Sequence, residues 1–177
     1  SPSPQCTFPA NKTSRQTSSV GSINNHDWVL HDEIVNAIFK EWRYPQIDLF
    51  ADAENLKCPA FASRYHQPGS QGNALLIDWS RKFLYAFPPI PLRPAVLVRM
   101  RTSSSCMILN APEWARQRWF MGLLHLSECP HRRLPCRPDL LSRCGGQVRH
   151  PNLPSLNLAA WLLKSSNTDI KTSHRTA

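Results

Sequence analysis

Polar side chains and a double proline follow three segments that read as buried strands. The stretch "IDLFADAEN" carries Asp48 and Asn55, "FPPIPL" carries Pro88–Pro89, and "NAPEW" follows a later strand. In a parallel sheet ligands bind beyond the carboxyl ends of the strands. A carboxylate there can accept hydrogen bonds from hydroxyl or amine groups of a ligand. The pattern therefore predicts a ligand site built from these strand ends, although Asp48 and Asn55 could instead serve only as turn-capping residues.

A second chemistry would use carboxylates in pairs. Four of them lie in different segments and could converge: Asp48, Asp78, Glu113 and Asp139. A nuclease of the RNase H type needs such a cluster to hold two Mg²⁺ ions, so this class stays open as an alternative. A zinc site would need a different set of ligands, namely His125, Cys129, His131, Cys136, Cys144 and His150. Their spacing fits no common zinc pattern, and no metal is expected.

The positive charge of the chain is one-sided. The net charge is +9; residues 1–80 hold six basic and eight acidic side chains, whereas residues 81–177 hold fifteen and four. Such an asymmetry is the electrostatic footprint of a nucleic-acid partner, with a solvated basic surface as the alternative. The arginines expected to contact nucleic acid are Arg93, Arg99, Arg101, Arg116, Arg118, Arg132 and Arg133.

These side chains must be positioned by alternating strands and helices. The residues of "HDEIVNAIFKEW" repeat apolar positions four apart, which predicts an amphipathic helix over 31–42. Strands are predicted at 46–51, within 57–63, at 82–87 and at 105–112, and further helices at 91–102, 113–127 and 153–164. This order predicts an α/β layered domain with a mostly parallel sheet flanked by helices.

The two ends of the chain differ in composition from the middle. Residues 1–26 and 164–177 are rich in Ser, Thr, Pro and Asn and are predicted to be disordered tails around a folded domain at 27–163. No stretch approaches the ~20 apolar residues of a membrane span, and no leader peptide is recognised. We expect reduced cysteines and an intracellular location, nuclear or cytoplasmic.

The order of the motifs resembles a known family. The series "IDLFA", "KCPAF", "NALLIDW", "LYAFPPIPL" and "MILNAPEWARQRWF" resembles phage-type DNA adenine methyltransferases. Together with "EIVNAIFKEW", "RLPCRPDLLS" and "LNLAAWLL", it is still more similar to the methylase-like segment of DIRS-type retroelement polyproteins. The resemblance implies a Rossmann-like methyltransferase fold over 27–163. It also implies, as partners, nucleic acid and the reverse transcriptase and RNase H parts of a polyprotein.

The resemblance also implies site residues. Those matched to the binding of the methyl donor, S-adenosylmethionine, are Asp48, Phe50, Ala51, Asn55, Asn73 and Asp78. The D/N-P-P-Y/F/W loop, which polarises the adenine amine and stacks on the flipped base, falls on Phe87, Pro88, Pro89 and Ile90.

The chain departs from the family at two of these loop positions. Phe87 has no oxygen to accept an amine hydrogen, and Ile90 cannot stack on a base. The glycine-rich turn of the donor site is replaced by "ADAEN". The expected function is a methylase-like domain that has lost its reaction and that serves as a nucleic-acid-binding or structural module. Loss of S-adenosylmethionine is expected with it, and retained binding of the donor stays open as an alternative. A working adenine methyltransferase with an unusual loop, an RNase H-type fragment and a copy without selected function remain alternatives.

Overall fold

The computed structural model describes residues 28–65, 67–143 and 146–165. The predicted tails at 1–26 and beyond 165 lie outside the described residues. The strands are β1 (Val29–Leu30), β2 (Ile47–Leu49), β3 (Ala60–Ala62), β4 (Phe83–Ala86), β5 (Cys106–Pro112), β6 (Arg132–Arg133), β7 (Leu141–Arg143), β8 (Val148–Arg149) and β9 (Leu158–Lys164). The helices are α1 (Asp32–Trp42), α2 (Arg93–Thr102), α3 (Arg118–Leu126) and α4 (Leu153–Leu156), with a 3₁₀ turn at Ile90–Leu92.

A mixed six-stranded sheet organises the domain. Its strand order is β3-β2-β4-β5-β9-β6. The pairings of β2 with β3, β2 with β4 and β4 with β5 are parallel, whereas β9 runs antiparallel to both β5 and β6. After β2 the chain forms β3 on one side of β2. It then crosses over and forms β4 on the other side of β2. The point where the strand order reverses therefore lies between β2 and β4, and this is where open α/β sheets bind their ligands.

Helix α1 forms where the apolar period predicts it. Its carboxylates Asp32 and Glu33 lie in the first turn, next to the positive end of the helix dipole, and the His31 ring accepts a hydrogen bond from the Glu33 amide. The buried face, with Ile34, Ile38 and others, packs in one core with Phe83 and Tyr85 of the sheet.

Helices α2 and α3 cover the opposite face of the sheet. Val96 and Met100 of α2 pack with Leu123 of α3 against Leu84 and Met107. The two helices approach closely at Gly122, where an added Cβ would lie 3.2 Å from Leu97 Cδ1. Since few real Cβ contacts are that short, a larger residue here would push the helices apart. The sheet is thus sandwiched between two apolar layers, as predicted for an α/β domain.

A small antiparallel sheet lies on the face of the main sheet that α1 covers. Its order is β1-β7-β8, with Leu30 opposite Leu141. Both leucines belong to the same core cluster as α1. This second sheet brings residues 28–30, Leu141 and His150 to the domain, where they contribute to the walls of two cavities at the strand ends.

The helix predicted at 153–164 is wrong over most of its length. Only Leu153–Leu156 is helical; Asn157 then adopts a left-handed conformation with φ of 44°, and the chain continues as β9. Every residue of β9 from Leu158 to Trp161 is buried. A strand covered on both faces is apolar throughout, so its pattern does not distinguish it from a buried helix. The sheet is consequently mixed.

The folded part extends beyond the predicted boundary at Leu163. Lys164 pairs with Cys106, and Ser165 is fully buried, where its amide donates to the Ser105 carbonyl. Among the described residues, no helix has the length and apolar character needed to cross a bilayer.

Candidate functional site at the strand ends

Asp48 occupies the middle of β2 and is buried. The Lys57 amide donates to its Oδ2 over 2.7 Å, and 4% of the residue is exposed. Burial raises the pKa of Asp48 to about 8, although the Lys57 hydrogen bond and charge act in the opposite direction. At neutral pH Asp48 is mostly a neutral carboxylic acid.

Two further buried polar side chains lie beyond Asp48 in the sheet, Tyr85 on the adjacent strand β4 and Asn110 on the next strand β5. Asp48 lies opposite Tyr85 in the pairing of β2 with β4, and the Asn110 amide donates to the Tyr85 hydroxyl over 2.7 Å. The Asn110 Oδ1 atom is buried and has no hydrogen-bond partner among the described residues. Burial, followed by the charge of Asp48, raises the pKa of Tyr85 and that of Cys58. The sequence did not single out Tyr85, whose residue type is common in strands, or Asn110, although an Asn inside an apolar strand is uncommon and was a signal that could have found it.

Aromatic residues fill the space beyond β2. Phe50 is buried and has a φ of 62°, in the left-handed region that favours glycine. The cavity that Phe50 lines with Asp48, Asn55, Phe87 and Trp28 has a volume of about 30 Å³. By this measure about 10–15 Å³ already holds one water molecule, so the space admits only two or three waters. Asp48, Phe50, Ala51 and Asn55, four of the residues matched to S-adenosylmethionine, therefore line a space too small for such a ligand in this arrangement of side chains.

The remaining residues matched to the donor have local roles. The Asn55 side chain accepts from the Asp52 amide, and Asp52 accepts from the Asn55 amide, so both stabilise their own turn. The Asn73 side-chain oxygen Oδ1 accepts from the Leu75 amide. Ala51 lies beside β3, where its amide donates to the Ala62 carbonyl.

Asp78 lies at the other end of the sheet. It precedes β4, caps Ser80, and lines a groove with Ser103 and Ser104, which precede β5. The structure thus brings Asp48, Phe50, Ala51 and Asn55 together and does not bring Asp78 to them.

The double proline borders a larger cavity. Phe87, Pro88, Pro89 and Ile90 follow β4 and line a space of about 450 Å³, within the ~300–1,000 Å³ of small-molecule sites. Ile90 is 47% exposed. The wall is completed mainly by apolar residues, namely Trp28, Pro91, Pro112, Leu141, Leu156 and Leu158. The polar members of the wall are Arg93 and His150.

Arg93 is the most unusual residue in this wall. Only 4% of it is exposed, and its Nε and Nη1 atoms are buried without hydrogen-bond partners. Its guanidinium carbon lies 5.2 Å from the centre of the Trp119 ring and 6.0 Å from that of Trp114. Burial lowers the pKa of Arg93 to about 10, so the side chain keeps its charge at neutral pH. The cation is thus held by aromatic faces alone among the described residues.

Glu113, directly after β5, belongs to a separate cluster. It accepts hydrogen bonds from His131 Nε2 and from Arg133 Nε, the latter at 3.1 Å. The His131 ring stacks on Trp161 with centres 4.0 Å apart. Burial raises the pKa of Glu113, but the bonds from Arg133 and His131 outweigh it and leave the pKa below its ordinary value.

The carboxylates that a nuclease would need do not converge. Asp48 is inside β2, Asp78 is at the amino end of the sheet, and Asp139 pairs with Arg137. Within the part of the chain that the structure describes, no group of three or more His, Cys, Asp or Glu residues could hold a metal ion. Cys144 lies outside the described residues.

The arginines predicted to contact nucleic acid have different environments. Arg132 pairs with Glu41 and Arg133 with Glu113, while Arg99 donates to the Ile77 carbonyl and lies over Trp79. Arg101 lies beside Gly122, in the contact between α2 and α3. Arg93 is buried in the cavity wall. Arg116 and Arg118 are exposed, and neither forms an ion pair with a described residue.

A basic groove that the sequence did not predict lies at the amino ends of β2, β4 and β5. It has a volume of about 480 Å³, and its wall includes Arg43, Arg81, Lys82 and Tyr44. None of the described residues that line it is acidic. Tyr44 is 55% exposed. We name this surface the amino-edge groove. Arg43 and Tyr44 belong to the half of the chain with net negative charge. The charge distribution along the sequence therefore did not indicate them as part of a basic surface.

The chain was also compared with known proteins. No protein-family model matches it, and no curated protein matches it.

Proposed function

We propose that this chain is a nucleic-acid-binding α/β module without methyltransferase activity, descended from the methylase-like segment of a DIRS-type retroelement polyprotein. The composition of the amino-edge groove supports nucleic-acid binding. The residues at the carboxyl ends of the strands support the loss of methyltransferase activity.

The lost reaction is supported by what stands at the reactive positions. Phe87 replaces the acceptor for an amine hydrogen, and an unpartnered polar group costs about 1–3 kcal/mol when it is buried. Ile90 has no ring to stack on a base. The neighbouring space of about 30 Å³ beside Asp48 and Phe50 cannot admit S-adenosylmethionine without rearrangement. These replacements and this small space support a domain that has lost the methyl donor.

Nucleic-acid binding is supported by the make-up of the amino-edge groove. Arg43, Arg81 and Lys82 can each neutralise a phosphate, and no carboxylate among the described lining residues competes with them. Tyr44 offers a ring face on which a base can stack. Because the bases of a duplex are already stacked on one another, their faces are accessible only in a single strand. The combination therefore favours single-stranded nucleic acid.

Fluorescence anisotropy with a labelled 12-nucleotide single-stranded DNA tests the proposal. Three neutralised phosphates predict a salt slope of about −2, so affinity falls about 20-fold between 50 and 200 mM salt. The variant R43Q/R81Q/K82Q should lose most of the affinity and of the slope. A matched variant, R64Q/R116Q/R118Q, removes the same charge outside the groove and should retain both.

A tyrosine pair checks the stacking role. Tyr44→Leu keeps an apolar contact for Phe39, whose ring centre lies 5.5 Å away, and should weaken binding about tenfold. Tyr65→Leu removes a similarly exposed ring, 49% accessible, away from the groove and should have no effect. Affinity that is indifferent to salt, or lost equally in both triple variants, would contradict this surface assignment.

A further inference from the structure

The cavity of about 450 Å³ beside Pro88 and Pro89 combines an apolar wall with positive charge. Of the twelve described residues that line it, ten are aromatic, aliphatic or proline, and the other two are Arg93 and His150. No described lining residue is acidic. A ligand that fits this wall would bury an apolar body and meet only cationic or donor groups.

Arg93 indicates what the polar part of the ligand is. A buried cation without a counter-ion is costly, and its partner is normally an anion or a set of acceptors. Nε and Nη1 of Arg93 have neither among the described residues, although Trp119 offers a ring face on one side. The planar guanidinium suits an oxyanion, to which two neighbouring nitrogens can donate parallel hydrogen bonds. Nε and Nη1 lie on opposite sides of the group, so an oxyanion would bind Nη2 together with one of them.

His150 supplies a second donor. Its Nδ1 accepts a hydrogen bond from the Asn152 amide over 3.0 Å. Burial, and then the charge of Arg143, lower the pKa of His150, so the ring is neutral at pH 7 and carries its proton on Nε2. The ring is held against Trp28, with centres 4.8 Å apart. The Arg143 guanidinium lies over the same Trp28 ring, 4.5 Å from its centre, so the charge next to His150 is also positive.

We propose that this cavity binds a small organic anion, an aromatic or aliphatic body that carries one carboxylate or phosphate, with Arg93 bound to the oxyanion and His150 as a second donor. Such binding is independent of nucleic-acid binding at the amino-edge groove, because the two surfaces lie at opposite ends of the strands.

Titration calorimetry with four probes tests the charge and the apolar body separately. Phenylacetate and phenyl phosphate carry both, phenylacetamide lacks the charge, and inorganic phosphate lacks the apolar body. A hydrogen bond to a charged group contributes about 1.5–3 kcal/mol. We therefore expect the neutral amide to bind about tenfold or more weakly than the better aromatic anion. Inorganic phosphate should also bind about tenfold or more weakly, because it buries no apolar surface against the wall. The comparison of phenylacetate with phenyl phosphate identifies the preferred oxyanion.

Variants locate the binding. Arg93→Met keeps the length and apolar stem of the side chain and should abolish the preference for phenylacetate over phenylacetamide. Arg116→Met, at an exposed arginine, should keep it. If Arg93→Met does not fold, His150→Leu is the second test. This variant should bind the aromatic anion severalfold more weakly than the unaltered protein does.

Three results would overturn the proposal. One is equal binding of phenylacetate and phenylacetamide to the unaltered protein, which needs no variant. Another is that inorganic phosphate binds more tightly than both aromatic anions. The cavity would then be a simple ion site in which the apolar wall plays no part in binding. The third is an unchanged anion preference in both Arg93→Met and His150→Leu. None of these depends on whether DNA binds, so failure here is distinguishable from failure of the proposed function.

Discussion

Asp48 lies directly opposite Tyr85 in the parallel pairing of β2 with β4, and both side chains are buried on the face that α1 covers. The two acidic groups are therefore neighbours in a medium that disfavours charge on either. Asp48 has a pKa of about 8, and Tyr85 has a raised pKa. At neutral pH the centre of the sheet holds two neutral hydroxyl-bearing groups.

The first prediction concerns the pH dependence of stability. The pKa of Asp48 is about 8 in the folded chain against an ordinary 3.8, so the folded state keeps a proton that the unfolded chain releases. The contribution is complete below about pH 4 and is lost as pH rises toward 8. Urea unfolding of Asp48→Asn and of the unaltered protein should diverge over this window, with the variant gaining several kcal/mol, on the order of 1.4 per pH unit.

Asp78→Asn is the control for this prediction. The hydrogen bonds from Ser80 lower the pKa of Asp78, so this carboxyl is ionised in both states above about pH 5. Its effect on the free energy of unfolding should be constant from pH 5 to pH 8. A flat difference for Asp48→Asn as well would contradict the burial described for Asp48.

The second prediction uses the pair formed by Tyr85 and Asn110. Tyr85→Phe removes the hydroxyl that accepts the hydrogen bond from the Asn110 side-chain amide. Because the Asn110 Oδ1 atom already lacks a partner among the described residues, the variant leaves both ends of that side chain unpaired. We expect a loss of about 1–3 kcal/mol in the free energy of unfolding. The double variant Y85F/N110L removes both polar groups and should recover part of the loss; simple addition of the two single effects would show that the pair is not coupled.

The third prediction concerns thiol reactivity. Cys58 is buried, and burial raises its pKa, whereas Cys136 is exposed. In the native protein Cys136→Ser should remove one fast-reacting thiol in a dithionitrobenzoate assay. Cys58→Ser should remove none until denaturant is added. Fast labelling at Cys58 would indicate that the sheet face around Asp48 opens readily.

The fourth prediction rests on the crowded space at Phe50. Calorimetry with S-adenosylmethionine at millimolar concentration should give no binding heat, while an active DNA adenine methyltransferase measured alongside should give a saturable one. A saturable heat from this chain would mean that Phe50 and Phe87 move aside, and it would revive the methyltransferase alternative.

The sequence predicts the layered α/β domain because the signal there is periodic. Ile34, Ile38 and their neighbours repeat at helical spacing, and the run at 82–87 is apolar throughout, as a buried strand should be. It does not predict β9, because the apolar run around Trp161 reads equally well as a buried helix.

The candidate site is predicted less well, for a different reason. Charge counting places Arg93 and Arg116 in one class, although one is buried in a cavity wall and the other is exposed. The same counting overlooks Arg43, which lies in the acidic half of the sequence but beside Arg81 and Lys82 in space. Burial and proximity between distant segments are properties of the fold and are not written in local composition.

The position of β9 has a consequence for the order of events during synthesis. This strand lies inside the sheet, between β5 and β6, and pairs with β5 from Cys106 to Pro112. A nascent chain that has emerged only as far as α4 therefore presents β5 as an open, apolar edge, a known template for association with other chains. Ribosome-bound chains stalled before Leu158 should engage chaperones, and release should come only when Trp161 and Leu163 have left the exit tunnel.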